Sequence, residues 1–112
     1  MRKRVLRSRV IHQGRVFTLR ADTIRLPNGA VRVIDRVVHR GAVAIVPFSA
    51  DGKMILIRQF RPAIGGYLYE IPAGTLDPHE SPAVCARREL REETGYHGGT
   101  FTNMTAIYPC PG

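Results

Sequence analysis

One stretch of the chain, from Ser81 to Gly95, carries signals for both ends of a helix. Ser81 is a favoured N-cap, and Pro82 is tolerated in a first helical turn. Gly95 is a favoured C-terminal stop, and neither glycine nor proline occurs from Ala83 to Thr94. The sequence therefore predicts one helix of roughly three turns, and the fold must place it among the strands indicated elsewhere.

The segments around this helix have strand patterns. Residues 15–26 and 30–38 flank Pro27-Asn28-Gly29 and predict a pair of antiparallel strands. Two apolar runs, 42–48 and 54–60, predict a second hairpin that is more deeply buried than the first. Residues 61–74 predict a loop that ends in a short strand at Tyr69 to Ile71. Residues 98–112 predict one more strand that breaks into a Pro-Gly turn.

Length and cysteine content limit the class of protein. The 112 residues leave room for one domain, and no apolar run approaches the ~20 residues of a membrane span. The N-terminus lacks the apolar stretch of a signal peptide, so we expect a cytoplasmic protein without membrane contact. Cys85 and Cys110 form no CxxC pair, which argues against a disulfide framework and a structural zinc site.

The net charge of +8 is unevenly distributed. Residues 1–40 contain eleven Arg or Lys and two Asp, whereas residues 41–112 contain six Arg or Lys and seven acidic residues. This asymmetry indicates contact with phosphate, on nucleic acid or on a small nucleotide. The alternative is a solvated cationic tail with polar strand faces. The basic segment has no interleaved aromatic residues, which makes a nucleic-acid partner the weaker interpretation.

Three carboxylates lie close together on the predicted helix. Glu89, Glu92 and Glu93 are spaced i, i+3 and i+4, so they face one side. Their mutual repulsion calls for a nearby positive charge. One candidate is the set of neighbouring arginines, Arg87, Arg88 and Arg91, which would make this an ordinary salt-bridged surface. The other is a divalent cation, and ligands that are all oxygen favour magnesium, with manganese as the alternative, over zinc.

The spacing of residues around this cluster is more specific than the cluster itself. It resembles the Nudix box, G-x5-E-x7-R-E-U-x-E-E-x-G-U, where U is a bulky apolar residue. Every fixed position is matched, by Gly74, Glu80, Arg88, Glu89, Leu90, Glu92, Glu93, Gly95 and Tyr96. The family hydrolyses nucleoside diphosphates that are linked to another group.

The resemblance implies a fold and a set of roles. The fold would be an α/β/α sandwich with a mixed sheet and a catalytic loop-helix, preceded by the N-terminal strand pair. Glu89, Glu92 and Glu93 would ligate the metal together with the backbone carbonyl of Ala73. Two further residues of the box, Arg88 and Glu80, would form a pair that orients these catalytic carboxylates. Bound metal would neutralise the diphosphate and activate water.

Flanking residues resemble the ADP-ribose and nucleotide-sugar pyrophosphatase branch. R-Q-F-R-P and E-I-P-A-G precede the box, and Pro111 follows Gly95 at the offset typical of that branch, with Cys110 in place of the usual serine. The resemblance implies that Arg61 grips substrate oxygens with its forked guanidinium. Glu70 would bind a substrate hydroxyl or orient Arg61. The alternatives are a loop-stabilising arginine and a strand-end salt bridge.

In this branch the N-terminal strands pack against a second subunit. The resemblance therefore implies a homodimer, with basic N-terminal strands at residues 1–40 and a catalytic core at residues 41–112. Arg36 and Arg40 would help to attract the phosphates of a nucleotide-sugar substrate.

Family members continue past the Pro-Gly with further strands and a second helix, so we expect the C-terminal part of the fold to be missing. Truncation of the chain at Gly112 is one explanation, and coverage by a dimer partner is the other. Three functions remain open. They are metal-dependent hydrolysis of ADP-ribose or a related sugar to AMP and a sugar phosphate, nucleotide binding without turnover, and action on RNA.

Overall fold

The computed structural model describes residues 4–109. Contacts divide the chain into two compact units, Met1–Gly41 and Ala42–Gly112. The described residues contain antiparallel strand pairs and one helix, which confirms the predicted α/β class. No helix among residues 4–109 is long and apolar enough to cross a membrane.

The first unit is an antiparallel sheet of three strands in the order β1-β2-β3, with bounds Arg4–Gln13, Phe17–Arg25 and Val31–His39. The predicted turn joins β2 to β3, where Gly29 has φ +87° and the Ala30 amide donates to Asn28 Oδ1 at 3.0 Å. Ala21 and Ile24 are buried, and so is Asp22.

The prediction of a strand pair was incomplete, because β1 adds a third strand. Its register against β2 shifts between Val5 and Arg7 and again between Val10 and His12. Each shift breaks the period-two alternation of side chains that identifies a strand in a sequence. Within the basic segment, β1, β2 and β3 are therefore paired as one sheet.

The second unit has four short strands: β4 (Ala42–Ala44), β5 (Ile57–Arg61), β6 (Gly66–Glu70) and β7 (Ala73–Thr75). β4 pairs with β7 and β5 pairs with β6, in both cases antiparallel. The helix α1 (Pro82–Thr94) packs on β7 and β4 through a face that includes buried Cys85 and Leu90.

Several boundaries differ from the prediction. The second hairpin keeps only its turn, with the Ser49 amide donating to the Lys53 carbonyl and a bridge between Phe48 and Met54. Its two predicted strands do not form a ladder with each other, because β4 pairs with β7 and β5 pairs with β6. It is also less buried than the first hairpin, and within this unit α1 packs mainly on β4 and β7.

The strand expected at Tyr69 to Ile71 instead runs from Gly66 to Glu70, and β7 follows it. The strand expected after the helix is absent from residues 98–109. The predicted turn that includes Cys110 and Pro111 lies outside the described residues.

Candidate active site

The caps predicted for the helix are those observed. Ser81 has extended backbone angles, and its hydroxyl accepts from the Val84 amide at 3.2 Å. Pro82 occupies the first turn. Gly95 adopts the left-handed conformation at φ 78°, and its amide donates to the Arg91 carbonyl at 2.9 Å. Local signals therefore set the two ends of the helix.

Arg88, on the helix, binds Glu80 in the loop that joins β7 to the helix. Its Nε and Nη2 donate to the two carboxylate oxygens of Glu80 at 2.7 and 2.8 Å. Glu80 Oε1 also accepts from the Asp77 amide at 3.1 Å, and the Asp77 carboxylate lies 3.5 Å from Arg88 Nε. The bond from Arg88 is the main reason why the pKa of Glu80 falls to about 2. The pKa of Arg88 is raised mainly by the same bond.

The remaining terminal nitrogen of Arg88 holds two carboxylates of the helix. Nη1 donates to Glu89 at 2.9 Å and to Glu92 at 3.0 Å. Of the three neighbouring arginines, Arg88 supplies the positive charge here, while Arg87 stacks on the ring of Phe101. We call Asp77, Glu80, Arg88, Glu89 and Glu92 the Arg88 cluster. One guanidinium in it is shared by four carboxylates.

Gly74 makes room for Glu89. A Cβ at residue 74 would lie 2.0 Å from the carboxylate carbon of Glu89 and 2.2 and 2.4 Å from its oxygens. Only glycine therefore lets this carboxylate lie directly against β7. The motif marks Gly74 in the sequence, but the reason for a glycine at this position is its contact with Glu89 in the folded chain.

Glu93 turns away from Arg88 and towards β7. Its Oε2 accepts from the Ala73 amide at 3.3 Å, so the backbone of Ala73 lies beside it. Burial raises the pKa of Glu93, and the negative charges of Glu89 and Glu70 raise it further. This carboxylate therefore lies near other negative charges and carries no ion pair among the described residues.

The atoms expected to hold a metal are all carboxylate or backbone oxygens, which is the type of ligand that a hard divalent cation prefers. Glu93 also lacks a positive neighbour as close as that of Glu89. However, residues 4–109 contain no group of three His, Cys, Asp or Glu side chains already arranged to hold a metal. Glu89 and Glu92 are instead turned to Arg88.

The two residues expected at the substrate form a pair on β5 and β6. Arg61 Nε and Nη2 donate to the Glu70 carboxylate at 2.8 and 2.9 Å. This bidentate bond raises the pKa of Arg61 and lowers that of Glu70. This geometry fits the orientation of Arg61 by Glu70, and it equally fits the alternative of a strand-end salt bridge.

The other two predicted substrate residues belong to the first unit. Arg36 lies on β3, where its Nε donates to Asp22 at 2.5 Å. Arg40 follows that strand and is exposed.

The NUDIX domain model matches residues 38–111. The chain belongs to this family. The model of the nucleoside diphosphate sugar hydrolase N-terminal domain matches residues 4–34. The predicted Nudix resemblance is confirmed.

The chain is 42% identical to an ADP-ribose pyrophosphatase of Bacillus subtilis, over 91% of this chain and 55% of the relative. It is 39% identical to a methanol dehydrogenase activator of Bacillus methanolicus, over 98% of this chain and 60% of that relative. The crystal structure of an ADP compounds hydrolase matches with a TM-score of 0.69 and 34% identity, over 85% of this chain and 52% of that one. The Nudix chain thus spans a little over half the length of these proteins.

Proposed function

We propose that this Nudix chain is part of a metal-dependent hydrolase that cleaves the diphosphate of ADP-ribose or a related nucleoside diphosphate sugar. Water adds to one phosphorus, the bond from that phosphorus to the bridging oxygen breaks, and the products are AMP, or another nucleoside monophosphate, and a sugar phosphate. The observation that carries the proposal is the Arg88 cluster on a capped helix against β7. The relatives named for ADP-ribose pyrophosphatase activity support the substrate class.

Glu89, Glu92, Glu93 and the carbonyl of Ala73 would hold magnesium, with manganese as the alternative. A bound cation supplies neutralisation of the diphosphate and activation of water. The bidentate bond to Glu80 fixes the guanidinium of Arg88, which in turn holds two of the glutamates on one side of the helix. We assign Arg88 and Glu80 as positioning residues on this basis.

Arg61 would bind substrate phosphate or ribose oxygens, since Glu70 engages Nε and Nη2 and leaves Nη1 without a described partner. In the first unit, Arg36 and Arg40 would attract phosphate. The exposed apolar side chains of β3, Val33 and Val37, would serve a homodimer interface.

The test is release of AMP from ADP-ribose with magnesium present, with Glu93→Gln as the control and a panel of nucleotide sugars beside it. Turnover that disappears in the Glu93→Gln variant supports the proposal. Magnesium-dependent binding of ADP-ribose without turnover would favour the nucleotide-binding function instead. Salt-dependent RNA affinity without hydrolysis of any nucleotide sugar would favour action on RNA.

A further inference from the structure

A second group of charged residues lies on the three-stranded sheet of the first unit. Asp22 is only 1% exposed, and both of its carboxylate oxygens have partners. The Ser8 hydroxyl donates to Oδ1 at 2.6 Å, and Arg36 Nε donates to Oδ2 at 2.5 Å. Arg20 Nε donates to the Ser8 hydroxyl at 2.8 Å. We call Ser8, Arg20, Asp22 and Arg36 the Asp22 cluster.

The register places the two arginines directly opposite one another. Arg20 on β2 pairs with Arg36 on β3, so their Cα atoms are about 5 Å apart. Like charges at such positions destabilise a sheet. Asp22 balances one of the two positive charges. Asp35, the other acidic residue of the first forty, pairs with Ala21 and so points to the opposite face. One of these two positive charges is therefore left uncompensated.

Both guanidiniums have free terminal nitrogens. Within the described residues, Arg20 and Arg36 each donate one hydrogen bond, and each uses Nε for it. Their Nη1 and Nη2 groups are therefore available to an acceptor. The Arg36 side chain is 40% exposed, so an acceptor can reach it from solvent. The bonds through Nε also hold both forks in place, which lowers the entropic cost of binding an anion.

We propose that Arg20 and Arg36 form a binding site for a phosphate or diphosphate group, held in shape by buried Asp22 and Ser8. Two adjacent forks offer tetrahedral phosphate oxygens several charge-assisted hydrogen bonds, which a chloride ion cannot match in number. The site extends the contribution proposed for Arg36 and adds Arg20, which the sequence alone did not single out. It does not depend on hydrolysis.

The test is a titration of the full chain with pyrophosphate in magnesium-free buffer at constant ionic strength, followed by the NMR signals of the arginine Nε–H groups. Without magnesium, the carboxylates of the Arg88 cluster repel the probe. We expect saturable shifts at Arg20 and Arg36. Arg20→Gln should weaken binding about tenfold, because charge-assisted bonds are lost. Arg20→Lys, which keeps the charge but not the fork, should also weaken it.

Arg9→Gln is the matched control. Arg9 lies on β1 opposite Ala21, on the other face of the same sheet, so this variant removes the same charge without touching the site. Its affinity should equal that of the unmodified chain. Shifts that rise without saturation at all arginines, or equal losses of affinity in Arg20→Gln and Arg9→Gln, would overturn the proposal. Failure of ADP-ribose hydrolysis would leave this result unchanged, so the two proposals fail separately.

Discussion

The Asp22 cluster and the Arg88 cluster are built from the same two groups in opposite proportions. In the first, one buried carboxylate serves two arginines through a serine and a direct bond. In the second, one guanidinium serves four carboxylates. The first therefore has positive charge left over and the second negative charge. The sign of the unpaired charge, more than the number of ion pairs, therefore indicates which ligand a cluster can accept.

Arg88→Gln should have the largest effect, because it removes the one cation shared by the Arg88 cluster. Glu80, whose side chain is only 9% exposed, would keep its charge without its bidentate partner. We expect the thermal midpoint to fall by roughly 5–10 °C and nucleotide-sugar hydrolysis to be lost. Differential scanning calorimetry and the AMP-release assay measure the two effects.

Arg91→Gln is the control, because Arg91 is exposed on the same helix and holds no described carboxylate. It should lower the midpoint by no more than about 2 °C, the loss of a cation near a helix C-terminus. Equal midpoints in the two variants would show that the cluster does not depend on its arginine.

Gly74→Ala should affect the metal site more than the fold. The new Cβ would overlap the Glu89 carboxylate, which sits at the end of a flexible side chain and can move aside. Stability should therefore change little, while Mn²⁺ affinity should fall about tenfold, because one ligand is displaced from β7. Titration with Mn²⁺ followed by electron paramagnetic resonance measures the affinity.

Gly66→Ala is matched to it, since residue 66 lies in β6, the strand that precedes β7 in the chain, and a Cβ there meets nothing within 4 Å. It should bind Mn²⁺ like the unmodified chain. If both variants bound equally well, Glu89 against Gly74 would not be a metal ligand.

Acid should weaken both clusters through their carboxylates. The pKa of Glu80 is lowered from 4.5 to about 2, so its contribution to the free energy of unfolding is complete above pH 4.5 and is lost as the pH falls towards 2. Arg36 and Ser8 lower the pKa of Asp22 below 3.8, so its contribution is lost over a range that starts near that pH. Thermal midpoints measured from about pH 6 to about pH 2 should fall as the pH falls through this range.

Glu80→Gln should flatten that fall, because glutamine does not titrate. Asp22→Asn should flatten the part of the fall in thermal midpoint that arises from protonation of Asp22 in the three-stranded sheet. A slope unchanged in both variants would mean that neither ion pair contributes to the acid sensitivity.

The sequence predicts those features of the clusters that depend on residues close together in the chain. Ser81 and Gly95 fixed the ends of the helix correctly because a cap involves residues three or four positions apart. The contact between Gly74 and Glu89 spans β7 and the helix, so the motif marked the residues without explaining them. Arg20 was missed because its partner, Ser8, lies on a strand whose register shifts hide it in the sequence.

The smallest effect on stability is expected at Glu70, whose pair with Arg61 is partly exposed. Exposed ion pairs contribute little, so Glu70→Gln should shift the thermal midpoint by less than about 2 °C. KM for ADP-ribose should nevertheless rise, because the amide releases the Arg61 fork, whereas kcat should stay close to that of the unmodified chain. Arg61→Lys should raise KM by more, since lysine has no fork.

The double variant decides what Glu70 does. If Glu70 acts only by orienting Arg61, adding Glu70→Gln to Arg61→Lys should raise KM no further, because nothing remains to be oriented. If Glu70 binds a substrate hydroxyl itself, the two effects should multiply. The first result would make this pair a third arrangement beside the two clusters, with one arginine and one carboxylate balanced in charge. In it the carboxylate holds Nε and Nη2 of Arg61 and leaves Nη1 without a described partner.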